Sequence, residues 1–347
     1  MHNIKNIAKT FINHKLRDED KLLYLFIGIN ALAGIILQLV NYFTHHYIGD
    51  SFFGEPWQRV TIPLIFLSIL VVYFRDIVSE RVGLVIHTFA FYCLALSAGL
   101  VLATGIQVTP FPPIDHWLLA ADRSLGFQQS ALITAVSHIH WLRESMIWAY
   151  NTLIPELTLT PFLMAFLLCK RSVWVFLMAM LTTYFIGTLV YYFFPTTAPA
   201  SVIHNPHFTY AMHDTFLKFY EIHHHLKLTA TAGGLIAFPS FHVIWACLVI
   251  YATRQKKWLF YPVLIWNMLL IGSTVCLGWH YLLDVFASLI IVTSCIYLAE
   301  KCYARCLTRY LMTRKCGRPF LLGGVLSSGG KSSPSSSSLK TMPRPFS

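Results

Sequence analysis

Two histidines and an aspartate stand where a largely apolar sequence has little reason to put them: His242 in FPSFHV at 238–243, and His280 and Asp284 in GWHYLLDV at 278–285. Ionisable groups at membrane depth are costly unless they are used or paired. A spacing of four predicts His280 and Asp284 on one face of a helix, one turn apart. There the carboxylate accepts the Nδ1 proton, fixes the tautomer and leaves Nε2 with a free lone pair, which is how an imidazole becomes a nucleophile. Pro239 suits the first turn of a helix and Ser240 lies beside it, so His242 is expected in an opening turn, among free backbone N–H groups that attract an anion such as phosphate.

The elements that position these residues follow from composition. Of 347 residues, 56% are hydrophobic and 12% charged, far from the balance of a soluble domain. A bilayer core of about 30 Å needs about 20 apolar residues per helix, and eight candidate spans fit: 22–43, 60–75, 83–104, 146–168, 173–194, 235–253, 258–277 and 280–299. The expected fold is an all-α, polytopic membrane bundle. The span at 235–253 is the weakest, because Gly233, Gly234 and Pro239 break its beginning. Four segments are expected: a cytoplasmic stretch 1–21, accessory helices within 22–104, a catalytic membrane domain 105–300, and a basic tail 301–347 whose Ser/Gly/Pro-rich end reads as disordered. The loop 105–145 carries apolar residues at helical spacing, as short helices lying in the interface do.

Charge tests the span assignment independently. With the N-terminus inside, only Arg59, Arg123, Arg143, Lys218 and Lys227 of the 26 lysines and arginines fall outside, so both termini are cytoplasmic and His242 and His280 share the external side. The net charge of +11 is then juxtamembrane charge facing anionic headgroups, and nucleic acid is not an expected partner. The external loops hold no N-x-S/T sequon, which points to a bacterial inner membrane with a periplasmic site.

Other polar residues allow other readings. His204, His207, His213, His223, His224 and His225 crowd one external loop. A membrane metal centre uses such residues, but their spacing does not make paired histidine boxes. Asn151 and Glu156 lie beside Pro155 and Pro161 in the fourth span, and a broken helix with a carboxylate is also how a transporter site looks. The eight cysteines form no CxxC pair, so neither a disulfide framework nor a zinc site is expected. No metal and no cofactor are expected.

The order and spacing of these motifs resemble the type 2 phosphatidic acid phosphatase superfamily, and within it the branch of inositol phosphorylceramide synthases and related bacterial membrane proteins. Pro239, Ser240, Phe241 and His242 match its PSGH-like segment; Ser273, Thr274, Gly278, His280 and Asp284 match its S-R-x3-G-x-H-x3-D segment. Thr274 stands where the phosphatase branch has an arginine, and no K-x6-R-P segment lies upstream. The synthase-like branch lacks both and often carries a segment like FPTTAPAS at 194–201, with Thr196 and Thr197. The resemblance implies a six-helix catalytic core. It also implies a phosphohistidine on His280, with Asp284 stabilising the imidazolium and His242 protonating the departing oxygen. Ser240, Ser273, Thr274, Thr196, Thr197, Asn151 and Glu156 are then the residues expected around the phosphate and headgroup. Membrane lipids are the expected substrates. Water as second nucleophile makes a phosphatase, and an alcohol or polyol makes a transferase.

Overall fold

The computed structural model describes residues 18–47, 70, 78–230, 234 and 236–316. Among these, regular structure is entirely helical. In chain order come α1 (Asp18–Phe43), α2 (Glu80–Ile106), α3 (Asp115–Ser124), α4 (Gln129–His138), α5 (His140–Phe166), α6 (Lys170–Phe193), a 3-10 turn (Pro199–Ser201), α7 (Tyr210–His223), α8 (Phe241–Thr253), α9 (Lys257–Cys276) and α10 (Leu282–Cys316). Met1–Leu307 is one compact unit; Thr308–Ser347 is a second, described only at its helical residues 308–316.

Among the described residues, five helices are long and apolar enough to cross a membrane: α1, α2, α6, α9 and Leu282–Thr308 of α10. Two further expected spans are helical but less regular. α5 runs for 27 residues with Pro155 and Pro161 inside it, and α8 has 13, about 20 Å at 1.5 Å per residue. The expected span at 60–75 lies outside the described residues apart from Leu70, as do the Ser/Gly-rich tail and residues 1–17. The last helix continues well past the expected boundary at 299, to Cys316.

The centre of the bundle is α6, whose residues Val173 to Leu181 are buried on every side, as an all-round apolar helix must be. It packs on α1, α2, α5 and α8. Where α1 meets α2 the backbones nearly touch: a Cβ on Gly34 would lie 2.5 Å from the Val101 carbonyl oxygen, and one on Gly105 would lie 2.7 Å from that of Gly34. Small residues allow such approach where apolar side chains gain nothing over lipid. At one end of the bundle the Glu300 carboxylate accepts from Arg171 (2.6 Å) and Arg254 (2.6 Å) and from the Tyr251 hydroxyl, tying α6, α8 and α10 together. At the other end, α3, α4, the segment 194–203 and α7 lie across the helix ends, joined by two small apolar clusters around Leu118, Tyr281 and Ile203 and around Val136, Met212 and Leu277. The histidine motifs are at this second end.

Candidate active site

His280 stands in a turn before α10, not on the helix with Asp284 as the four-residue spacing predicts. The reason is Gly278. Its φ is +89°, and a Cβ there would lie 2.4 Å from Phe208 and 2.8 Å from Ile133, so only glycine fits. The chain turns sharply, the Thr274 carbonyl oxygen accepts from the backbone N–H of both Trp279 and His280 (3.0 Å each), and α10 begins two residues later. In consequence the direct imidazole–carboxylate hydrogen bond expected from sequence is replaced. Nδ1 of His280 is 2.8 Å from the Ala237 carbonyl oxygen and 3.4 Å from Asp284 Oδ2, while Oδ2 accepts from the Tyr281 N–H at 2.9 Å. The chemical outcome is unchanged, since a carbonyl oxygen can only accept: Nδ1 carries the proton and Nε2 keeps its lone pair. Asp284 Oδ1 is buried with no hydrogen-bond partner among the described residues. Gly278→Ala should therefore remove most activity and lower the unfolding temperature, both read on detergent-purified protein; a fully active, equally stable variant would contradict this turn.

His242 is the second residue of α8. Ser240 is the N-cap, its hydroxyl oxygen accepting from the Val243 N–H at 3.4 Å, so Pro239 precedes the cap rather than forming the first turn as expected. The His242 and His280 rings are 6.0 Å apart, centre to centre. Tyr150 of α5 stacks on His242 at 4.1 Å and 15°, its hydroxyl 3.5 Å from Nδ1. Trp279 stacks on Tyr150 in turn, at 5.2 Å and 11°. One aromatic column thus fixes the plane of His242 and links it to the residue beside His280.

The His280 turn is held from outside by α3 and α4. Asp115 accepts from the Tyr281 hydroxyl (2.9 Å) and from both the backbone N–H (2.9 Å) and the hydroxyl (3.0 Å) of Thr197. Asp122 accepts from the N–H groups of Leu282 and Leu283 at the start of α10, doing from another helix what an N-cap does locally. Gln129 donates to the His280 carbonyl oxygen at 2.7 Å. Both carboxylates are almost fully buried, and burial raises their pKa values against the donors around them. Sequence reasoning missed these residues. The available signal was that Asp115 and Asp122 are seven apart, on the face of a short helix that also carries Leu118 and Leu119.

Because its pKa is raised, native Asp115 binds its proton more tightly than the unfolded chain does. Its contribution to stability is full in acid and is lost as pH rises through the native value. Asp115→Asn, whose amide can still meet Tyr281 and Thr197, should flatten the pH dependence of the unfolding temperature. Asp115→Ala should cost about 1–3 kcal/mol for each buried donor it strands, with a matching fall in unfolding temperature at neutral pH.

The remaining expected residues divide. The hydroxyls of Ser273 and Thr274 bond back to the Leu270 and Ile271 carbonyl oxygens of their own helix, and Thr197 is taken by Asp115. Thr196 is fully buried, its hydroxyl without a hydrogen-bond partner among the described residues. Ala198 beside it holds φ +73° and ψ 160°, a region almost confined to glycine. Glu156 accepts from Thr152 (2.9 Å) and Asn267 (2.7 Å), and Trp266 donates to Thr152, a network joining α5 to α9. Asn151 lies on the wall of a cavity beside the aromatic column. In the histidine-rich loop both ring nitrogens of His223 meet carbonyl oxygens, of Phe219 and Thr109. Among the described residues no three His, Cys, Asp or Glu side chains gather as metal ligands.

A family model described as the PAP2 superfamily matches residues 116–298, just over half of the chain. That range begins within α3 and ends within α10, so it contains Tyr150, both histidines and Asp284. Comparison with curated proteins and with solved structures gave no match.

Proposed function

The chain belongs to the PAP2 superfamily, a multi-pass membrane protein with a phosphatase- or phosphotransferase-type function on lipid phosphates, and from that premise we propose that it is a phosphotransferase moving a phospho-headgroup between lipids or from a lipid to a small alcohol. The observation that carries this is the placing of the His242 and His280 rings 6.0 Å apart, centre to centre, at one end of the bundle, which puts both within reach of a single phosphoryl group. Nε2 of His280 attacks phosphorus and the bond to the departing alcohol oxygen breaks. His242, as imidazolium, gives that oxygen its proton. In the second half an acceptor hydroxyl passes its proton to His242 as its oxygen attacks, the P–N bond breaks, and His280 is restored. Asp284, 3.4 Å from Nδ1 with one oxygen lacking a hydrogen-bond partner among the described residues, gains a favourable charge partner when the imidazole becomes cationic.

Two features favour an alcohol over water and a diester over a terminal phosphate. Thr274 brings no charge, and its hydroxyl is bound to its own helix, so a phosphodiester with one negative charge fewer needs less compensation. The site lies beneath α3, α4 and α7, and His280 is 4% exposed, a setting that excludes water. The distribution of lysine and arginine supports a site on the external face, the lack of an N-x-S/T sequon in the external loops supports a bacterial inner membrane, and the motif match supports the synthase-like branch.

The test compares initial rates on phosphatidic acid and on phosphatidylinositol vesicles, each with and without an added alcohol or a second lipid. An acceptor-dependent phosphorylated product from the diester supports transfer. Rapid release of phosphate from phosphatidic acid alone, with no such product, makes the protein a plain lipid phosphatase. An imidazole nucleophile needs no metal-bound hydroxide, so activity should survive EDTA; loss in EDTA restored by a divalent ion would overturn the proposed chemistry.

A further inference from the structure

A cavity of about 340 Å³ lies at the end of the bundle opposite the histidine pair, between the starts of α1, α2 and α6 and the later part of α10. That is the size of a small-molecule site, well above a packing defect. Three carboxylates line it. Glu80 meets Lys170 at 2.5 Å, and Asp20 meets Nε2 of His87 at 2.8 Å. The third, Glu19, has no hydrogen-bond or ion-pair partner on its carboxylate among the described residues, while its carbonyl oxygen accepts from the Trp174 indole N–H at 3.0 Å. His87 stands in the cavity wall and is only 9% exposed. With the Nε2 proton directed at Asp20, the neutral ring keeps a lone pair on Nδ1, and no group among the described residues donates to it. Trp174 and Tyr303, ring centres 5.5 Å apart, complete the lining with aromatic surface.

We propose that this cavity binds a primary ammonium group, free as a small amine or carried on a lipid headgroup. A cation answers the Glu19 carboxylate and is attracted to the faces of the two aromatic rings. Its N–H groups supply the donor that Nδ1 of His87 lacks, which a quaternary ammonium cannot do. An anion would face Glu19 with Lys170 already taken, and a neutral alcohol would leave the carboxylate charge unmet. A bare metal ion has too few ligands, since among the described residues no three His, Cys, Asp or Glu side chains gather to hold one. The site shares no residue with the histidine pair and does not rest on the transferase reading.

The test is equilibrium dialysis of the full-length protein, held in phosphatidylcholine nanodiscs, against radiolabelled ethanolamine. Saturable binding is expected, with choline competing at least about tenfold more weakly than unlabelled ethanolamine and ethylene glycol not competing. Glu19→Gln keeps the shape and removes the charge, and should weaken binding about tenfold or more. Tyr303→Leu should weaken it about threefold or more. Nanodiscs that also contain phosphatidylethanolamine identify the source: reduced ethanolamine binding shows that the lipid headgroup fills the site, and unchanged binding shows that the free amine does. Absence of saturable binding in phosphatidylcholine, competition by choline or ethylene glycol equal to that of ethanolamine, or wild-type affinity in Glu19→Gln overturns the proposal. If Glu19→Gln fails to fold, Tyr303→Leu decides by the same reading, weaker binding supporting the site and unchanged binding overturning it. His280→Ala should bind ethanolamine as wild type does, so failure of this site is distinguishable from failure of the phosphohistidine chemistry.

Discussion

His280→Ala should bring turnover to the limit of detection, a fall of at least about 10⁴-fold, because it removes the atom that bonds to phosphorus and the remaining groups act only through it. The local structure should survive. His280 lies in a turn fixed by Gly278, by the Thr274 carbonyl oxygen and by Gln129 acting on the backbone. The loss of side-chain bonding is confined to Ala237 and Asp284. The measurement is a rapid-quench experiment with donor lipid labelled at phosphorus. Wild-type protein should carry acid-labile, base-stable label, and the variant none, at unchanged unfolding temperature. Labelled His280→Ala protein, or a loss of less than tenfold, would remove His280 from the role of nucleophile. Asp284→Asn should lose less. The Ala237 carbonyl oxygen still fixes the tautomer, so what disappears is the negative charge beside the cationic intermediate.

How much of this was open to reading in the sequence depends on the range over which each residue acts. The membrane helices follow from composition, because the bilayer demands long apolar stretches and one does not need to know what each stretch packs against. His242 and His280 stood out because imidazoles at that depth are expensive. The geometry around them did not follow from spacing. A four-residue interval reads as one helical face, yet Gly278 in the left-handed region places His280 before the helix and turns its Nδ1 to a carbonyl oxygen 43 positions away in sequence. Asp115 and Asp122 act on residues more than 150 positions later, and no local pattern announces such a bond. Ser273 and Thr274 show the reverse error. Polar side chains at motif positions suggest ligand contact, but within an apolar helix a hydroxyl meets the nearest carbonyl of its own chain first.

In the mechanism we propose, His242 is a proton donor and not a second nucleophile, and its packing fits that role. Its ring is pinned in the column of Tyr150 and Trp279, so it can tilt little, whereas proton transfer needs only that one nitrogen stay within hydrogen-bond reach of an oxygen.

His242→Ala should therefore lower turnover on natural lipids by about 10² to 10⁴-fold, the range for losing a general acid, and the loss should depend on the leaving group. An alkoxide departing from a lipid is a strong base and leaves badly without a proton. A p-nitrophenolate leaves without one. On a p-nitrophenyl phosphodiester the first step of His242→Ala should recover to within about tenfold of wild type, seen as a burst of p-nitrophenol. The second step has no such relief, because the acceptor hydroxyl has lost the base that takes its proton, so the phosphohistidine on His280 should accumulate and label should persist after wild-type protein has cleared it. His280→Ala should show neither burst nor label with the same substrate. Equal losses for His242→Ala on the lipid and on the activated diester would show that His242 acts by holding structure. In that case Tyr150→Leu, which breaks the column but keeps the His242 imidazole, should reproduce the defect.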